Sequence, residues 1–202
     1  MLIVVVHGHS QTYHQPKGLD ILIKDLKELD LHVHEYIWNG DLEQAAYNLR
    51  QEIYNHELIG IAYSWGNPWL RWLSDDFNIP FVQMHHVAPV NRQKGFPYSI
   101  RQWKALFRLG KFKAARNVRK VYAYRQINDR PAEKHVIGTN LPDLQLVMGT
   151  AKRLEKLSKK LIIEPFVDVD ARHSNMDDNR VIHSRILNRI KDSLILKNSD
   201  KV

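Results

Sequence analysis

Residues 57–66 read ELIGIAYSWG: an apolar, β-prone run that ends in Ala62-Tyr63-Ser64-Trp65-Gly66, followed by a helix-like stretch carrying Trp69 and Trp72. A serine at the C-terminal end of a buried strand, with very small residues two before and two after it, is the pattern of a nucleophile elbow. There the serine takes a strained conformation, and the small neighbours let backbone segments cross closely. Ala62 and Gly66 supply the small positions, although Ala62 stands where the pattern usually has glycine. The alternative is a serine that merely ends a strand, since five-residue patterns recur by chance. What flanks the motif must decide between them.

The rest of the chain alternates in the same way. Leu2 to Val6 is a continuous β-branched run, as suits a strand buried on both faces, and Lys17 to Leu29 carries apolar residues at helical spacing. Leu31 to Trp38 reads as a second strand, Asp41 to His56 as a helix with Asp41 as N-cap, and Leu58 to Tyr63 as the third strand. The helix after Ser64 runs to about Phe77, and Ile79 to His85 and Val121 to Gln126 are the fourth and fifth strands. Leu141 to Lys160 reads as a helix with Pro142 in its first turn, Leu161 to Val169 as a sixth strand and Met176 to Leu196 as a closing helix. Strand–helix alternation predicts a three-layer α/β sandwich with a mainly parallel central sheet. Lys197 to Val202 reads as a frayed polar tail.

Composition bounds the class. The chain has 202 residues, 44% of them apolar, enough for one substantial core and consistent with a single domain over 1–202. With no cysteine, neither a disulfide framework nor a thiolate metal site is possible, and a nucleophile must be Ser, Thr, Lys, Asp or Glu. The N-terminal MLIVVVHGHS lacks the basic start and cleavage site of a signal peptide, so a cytoplasmic protein is expected. A net charge of +8 and a pI near 9.6 point to an anionic partner rather than to a fold.

That charge is concentrated. Between Phe77 and Asn128 there is no Asp or Glu, whereas Arg92, Lys94, Arg101, Lys104, Arg108, Lys111, Lys113, Arg116, Arg119 and Lys120 all fall there. Phe96, Tyr98, Trp103, Phe107 and Phe112 are interleaved, and Ile100 to Leu109 fits an amphipathic helix. Residues 91–120 therefore read as a helical basic insertion, either a cap over a site or a surface for nucleic acid or an anionic membrane.

A nucleophilic serine needs an imidazole to take its proton and a carboxylate to hold that imidazole. The fifth strand is followed by Ile127-Asn128-Asp129-Arg130-Pro131, and the sixth by Asp170-Ala171-Arg172-His173-Ser174-Asn175. Asp129 and His173 thus each leave the C-terminal edge of a strand, beside Ser64, where open parallel sheets place their ligands. His135 is too close to Asp129, His183 lies within the last helix, and His85 and His86 end the strand beside the elbow. Asp168 and Asp170 are rival acids. The oxyanion of an attacked carbonyl needs two N–H donors. One is the backbone N–H of Trp65, and the other comes from His9 or Ser10 in Val6-His7-Gly8-His9-Ser10, with His9 the expected donor. His7, His9 and His14 have no Glu or Asp at ligand spacing, so no metal and no cofactor is expected.

VVVHGHS, AYSWG, Asp129 and DARHSN together resemble the α/β-hydrolase superfamily, especially its compact lipase and esterase members, including the fungal-lipase-like branch. In that superfamily the triad follows the order Ser, Asp or Glu, His, which Ser64, Asp129 and His173 satisfy. The resemblance implies a compact α/β-hydrolase fold with a shortened sheet and a carboxylic ester hydrolase working through an acyl-enzyme. Ser10, Trp69 and Trp103 would line the substrate pocket. The aromatic residues favour an apolar acyl or aryl group, and the basic insertion an anionic moiety. Ala62, the bulky Trp65 and Arg130 beside the proposed acid depart from the pattern. The rival function is a hydrolase-shaped protein without catalysis that uses residues 91–120 to bind nucleic acid or another anionic partner.

Overall fold

Leu2 to Val6 is buried at every position, and Leu58–Tyr63 likewise, because both strands lie inside a sheet covered on its two faces. In a computed structural model that describes residues 1–8, 18–89, 115, 117–126, 162–163, 167–171 and 175–199, seven strands form one parallel sheet. They are β1 (Leu2–His7), β2 (His32–Ile37), β3 (Leu58–Tyr63), β4 (Phe81–Val87), β5 (Val118–Gln126), β6 (Ile162–Ile163) and β7 (Val167–Val169). The order is β2-β1-β3-β4-β5, with β6 and β7 both pairing with the outer side of β5. The described helices are α1 (Gly18–Glu28), α2 (Leu42–Glu52), α3 (Gly66–Phe77) and α4 (Arg180–Ser199).

Alternate strand residues feed two cores. Leu2, Val4, Val6 and Ala62 pack with Ala45, Ala46 and Leu49 of α2 and with Trp69, Leu70 and Leu73 of α3. Ile3, Val5, Ile59 and Ile61 pack with Leu19, Leu22 and Leu26 of α1 and with Ile182, Ile186 and Ile190 of α4. The result is the expected three-layer sandwich. Each fully buried Leu or Ile in these layers contributes roughly 1.5–3 kcal/mol relative to exposure.

Helix ends follow side-chain chemistry. Asp41 caps α2, its carboxylate accepting from the N–H groups of Glu43 and Gln44. Asn78 ends α3 with a left-handed backbone, φ 56°.

Several sequence-derived boundaries move. β4 starts at Phe81, not Ile79, because Pro80 has no N–H to place in a ladder, whereas Phe81 donates to Asn117. β5 starts at Val118, and Ala115 is a fully buried core residue, so the end of the stretch read as an insertion belongs to the sheet. The sixth strand is two short segments, β6 and β7, with Pro165 in the sequence between them. The last helix begins at Arg180, capped by Asn179, which accepts from Val181 and Ile182. The insertion residues 91–114 and 116, and the expected helix over Leu141 to Lys160, lie outside the described residues.

Candidate functional site

β3 ends at Tyr63 and α3 begins at Gly66, so the chain reverses within Ser64-Trp65. Ser64 takes φ 51°, in the left-handed region that costs a residue with a side chain roughly 1–2 kcal/mol. The turn is held against β1 by close contact. A Cβ on Gly66 would stand 2.5 Å from the Val6 carbonyl oxygen and 3.0 Å from that of His7, so only glycine fits this crossing. A Cβ on Gly8 would stand 3.0 Å from the Ser64 Cβ, which brings the loop leaving β1 directly beside the serine. Ala62, on the row where β1, β3 and β4 align through Val6 and His86, is fully buried.

The turn is also pinned by polar bonds. The Ser64 N–H donates to the Val87 carbonyl at the end of β4 (3.0 Å), and the Asn67 N–H donates to the Ser64 carbonyl (3.2 Å). Buried Asn67 directs its side-chain NH2 at two carbonyls, Ser64 (2.9 Å) and Val87 (3.0 Å), which fixes the orientation of the amide. Its Oδ1 can then only accept, so the His86 Nδ1 at 2.9 Å carries the proton. His86 is fully buried, and burial, reinforced by Arg71, lowers its pKa to about 3. A group that weakly basic is a poor proton acceptor near neutrality; its place is to hold Asn67.

His85 points to the other face of the sheet. Its ring stacks on Tyr122 (4.8 Å) and contacts the Tyr124 hydroxyl (3.1 Å) and Gln83 Oε1 (3.2 Å). Burial also lowers its pKa to about 3, helped by His86 and Arg189. Neither histidine of β4 meets the requirement for a general base.

Other expected site residues fall as follows. Trp65 is half-buried in right-handed backbone at the N-cap of α3, its indole edge-on to Trp38 (5.5 Å), so its backbone N–H belongs to the helix N-terminus. Trp69, expected in a substrate pocket, is a core residue. It lies on the face of α3 that packs the sheet, stacks on Tyr36 (5.1 Å) and donates its indole N–H to the Gly40 carbonyl (2.8 Å). Asp129, His173, His9, Ser10 and Trp103 lie outside the described residues. β5 and β7 end at Gln126 and Val169, on the same edge of the parallel sheet as Ser64.

Sequence spacing missed acidic company for His7. Strand β2 lies beside β1 and brings Glu35 to 3.6 Å from the His7 Nε2, with Asp20 of α1 in the same cluster. The Glu35 carboxylate also pairs with Lys27 at 2.9 Å.

The parallel sheet with helices on both faces is an architecture that this chain shares with a group of solved structures. A protein from Xanthomonas campestris pv. campestris, placed provisionally in the alpha/beta superfamily of hydrolases, superposes with a TM-score of 0.56 over 95% of this chain and 98% of its own, at 11% identity. The chain has the α/β-hydrolase fold. A hydrolase from Oleispira antarctica is similar at TM-score 0.55 and 9% identity, covering 94% of this chain and 90% of that one. A structure from work on the metagenome-derived lipolytic enzymes LipS and LipT matches at TM-score 0.53 and 11% identity, covering 95% and 94%. No protein-family model matches the sequence, and neither does any curated protein sequence. At such identities the α/β-hydrolase likeness is one of fold.

Proposed function

We propose that this α/β-hydrolase-fold chain is a serine hydrolase acting on a carboxylic ester through an acyl-enzyme. The observation that carries the reading is the Ser64 backbone, at φ 51°, in a turn whose close crossings by Gly8 and Gly66 hold it there. Backbone strain maintained by such over-determination clusters at functional sites.

In the mechanism, His173 takes the Ser64 hydroxyl proton while Asp129 orients the imidazole, and Ser64 Oγ attacks the acyl carbonyl. The tetrahedral oxyanion is held by the N–H groups of Trp65 and His9. The α3 N-terminus at Trp65 and the approach of Gly8 to Ser64 support those two donors. The Ser64 amide donates to Val87 instead. Collapse of the intermediate expels the alcohol with the proton from His173, and water activated by the same imidazole releases the acid. Ser10 and Trp103 would contact the substrate, and the basic stretch ahead of β5 favours one with an anionic group.

The test is labelling with a fluorophosphonate probe. Wild type should label and Ser64→Ala should not; an unlabelled wild type, or equal labelling of both, sinks the serine-hydrolase reading.

A further inference from the structure

Among the described strands β2 stands at one edge of the sheet, and residues at i and i+2 of a strand project to one face. His32, His34 and Tyr36 therefore share a side, the one that meets α2 and α3. Glu52, the last residue of α2, lies against both imidazoles. Its Oε2 is 3.4 Å from the His32 Nδ1 and its Oε1 is 3.0 Å from the His34 Nε2. The two rings stand edge to face with centroids 4.7 Å apart. All three donor atoms lie within 4.8 Å of one another.

We propose that His32, His34 and Glu52 form a binding site for one divalent first-row transition ion, with Zn2+ the best match, clasping the edge strand β2 to the end of α2. The donor set is two imidazole nitrogens and one carboxylate, which suits Zn2+, Co2+, Ni2+ or Cu2+ and not the all-oxygen preference of Ca2+ or Mg2+. Spacing agrees as well: bonds near 2.1 Å in a tetrahedral site put neighbouring donors about 3.4 Å apart. The contacts Glu52 makes to the two rings, at 3.4 and 3.0 Å, already come within about 0.4 Å of that value.

Two further features favour a cation there. The remaining ring nitrogen of His34, Nδ1, faces the Tyr36 hydroxyl at 3.4 Å, and Tyr36 is itself stacked on the core residue Trp69. A second partner of this kind sets the tautomer and orientation of a ligating imidazole. Glu52 also sits at the C-terminal end of α2, where the helix dipole makes the local potential negative. The His7, Asp20 and Glu35 cluster is the weaker candidate because Lys27 already neutralises Glu35 at 2.9 Å.

The site is remote from Ser64. Register places Tyr36 opposite Val6, on the row of Ala62, with His34 and His32 opposite Val4 and Leu2. At about 3.3 Å per residue His34 and His32 lie roughly 7 and 13 Å back toward the N-terminal edge of the sheet. Three protein ligands leave room for water on the ion, as an incompletely liganded site does. Binding is therefore independent of the hydrolase reading and would persist in Ser64→Ala.

The experiment uses the full-length chain stripped with a chelator and dialysed at pH 7.5, titrated with CoCl2 while the visible absorption is followed, then with ZnCl2 as competitor. One equivalent of Co2+ should bring up d–d bands that Zn2+ bleaches, and Zn2+ should raise the melting temperature. Glu52→Gln and His34→Ala should each weaken binding by at least the tenfold to hundredfold that loss of an outer-shell partner costs. The His32 side chain is 59% exposed, so His32→Ala leaves the fold intact and should weaken binding likewise. Glu35→Gln should change nothing. Absence of saturable binding, or binding that survives Glu52→Gln and His32→Ala, overturns the proposal; loss of binding in Glu35→Gln alone moves the ion to His7 and overturns it equally.

Discussion

Replacing Asn67 tests whether the serine turn is held by polar bonds or only by packing. The side chain is fully buried and makes three hydrogen bonds, two given to the Ser64 and Val87 carbonyls and one accepted from the His86 Nδ1. In Asn67→Ala both carbonyls keep one backbone donor each, from Asn67 and from Ser64. The lasting loss is at His86, whose buried Nδ1–H is left without its acceptor at a cost of about 1–3 kcal/mol. Adding the two forfeited amide bonds gives a destabilisation of about 3 kcal/mol. At 2–4 °C per kcal/mol for a chain of this size, the melting temperature should fall by about 6–12 °C. Fluorophosphonate labelling should slow beyond what the stability loss explains, because Ser64 loses one of the bonds that fix its carbonyl.

Asn67→Asp sharpens the test. That substitution keeps the acceptor for His86 but turns the other oxygen toward two carbonyls, so the introduced carboxyl is disfavoured when ionised and its folded pKa is raised. A raised pKa contributes stability below the unfolded value that is lost as pH rises through the folded one. Relative to wild type, Asn67→Asp should therefore be mild near pH 4 and severe at pH 8. Thermal melts across that range check both variants. A loss under about 2 °C for Asn67→Ala, with unchanged labelling, would refute the polar clamp.

Relief of strain at Ser64 should separate stability from activity: Ser64→Gly should melt about 2–4 °C above Ser64→Ala, since glycine at this φ gains about 1 kcal/mol, while neither labels. Gly66→Ala should lose about 3 kcal/mol or more, because the added methyl meets the Val6 and His7 carbonyl oxygens at 2.5 and 3.0 Å and backbone cannot step aside; denaturant midpoints measure it. His85 and His86, both lowered to about 3, contribute stability that is complete above pH 6.5 and drains away as pH falls toward 3; at pH 5 each should have cost about 2 kcal/mol, and His86→Gln should flatten the dependence of melting temperature on pH by about one proton.

What the sequence made legible was local. β3 and the turn after it were readable because a run of apolar residues, a serine and two small residues are contiguous, and the Asp41 cap because it precedes its helix directly. The clamp was not, since Asn67 and His86 are 19 residues apart and meet only once β4 is laid parallel to β3. Trp69 was misplaced for a related reason: an aromatic near an elbow suits a pocket as well as a core. The helical face shared with Leu70 and Leu73, and the Gly40 carbonyl in the connection from β2 to α2, decide the matter. His32-x-His34 is visible as alternation, but Glu52 reaches it only through the packing of α2 on the sheet.

The positive-φ residues show where local preference was overruled. Among the described residues with side chains they are Asp30, Ser64, Asn78 and Ala88. Asp30 and Asn78 stand at the ends of α1 and α3, where short polar side chains tolerate left-handed backbone at little cost. Ser64 and Ala88 have no such excuse, and they are neighbours. Each follows the last residue of its strand, the Ser64 N–H is bonded to Val87 immediately before Ala88, and the Ala88 N–H is fixed in turn to the Tyr124 carbonyl of β5. Two strained residues cost of order 1–3 kcal/mol each. That cost falls on one edge of two adjacent central strands, where the ladder continues past both strand ends and Asn67 spans them. The strain at Ser64 stands at the passage from β3 into α3, which is where the serine-hydrolase proposal needs its nucleophile.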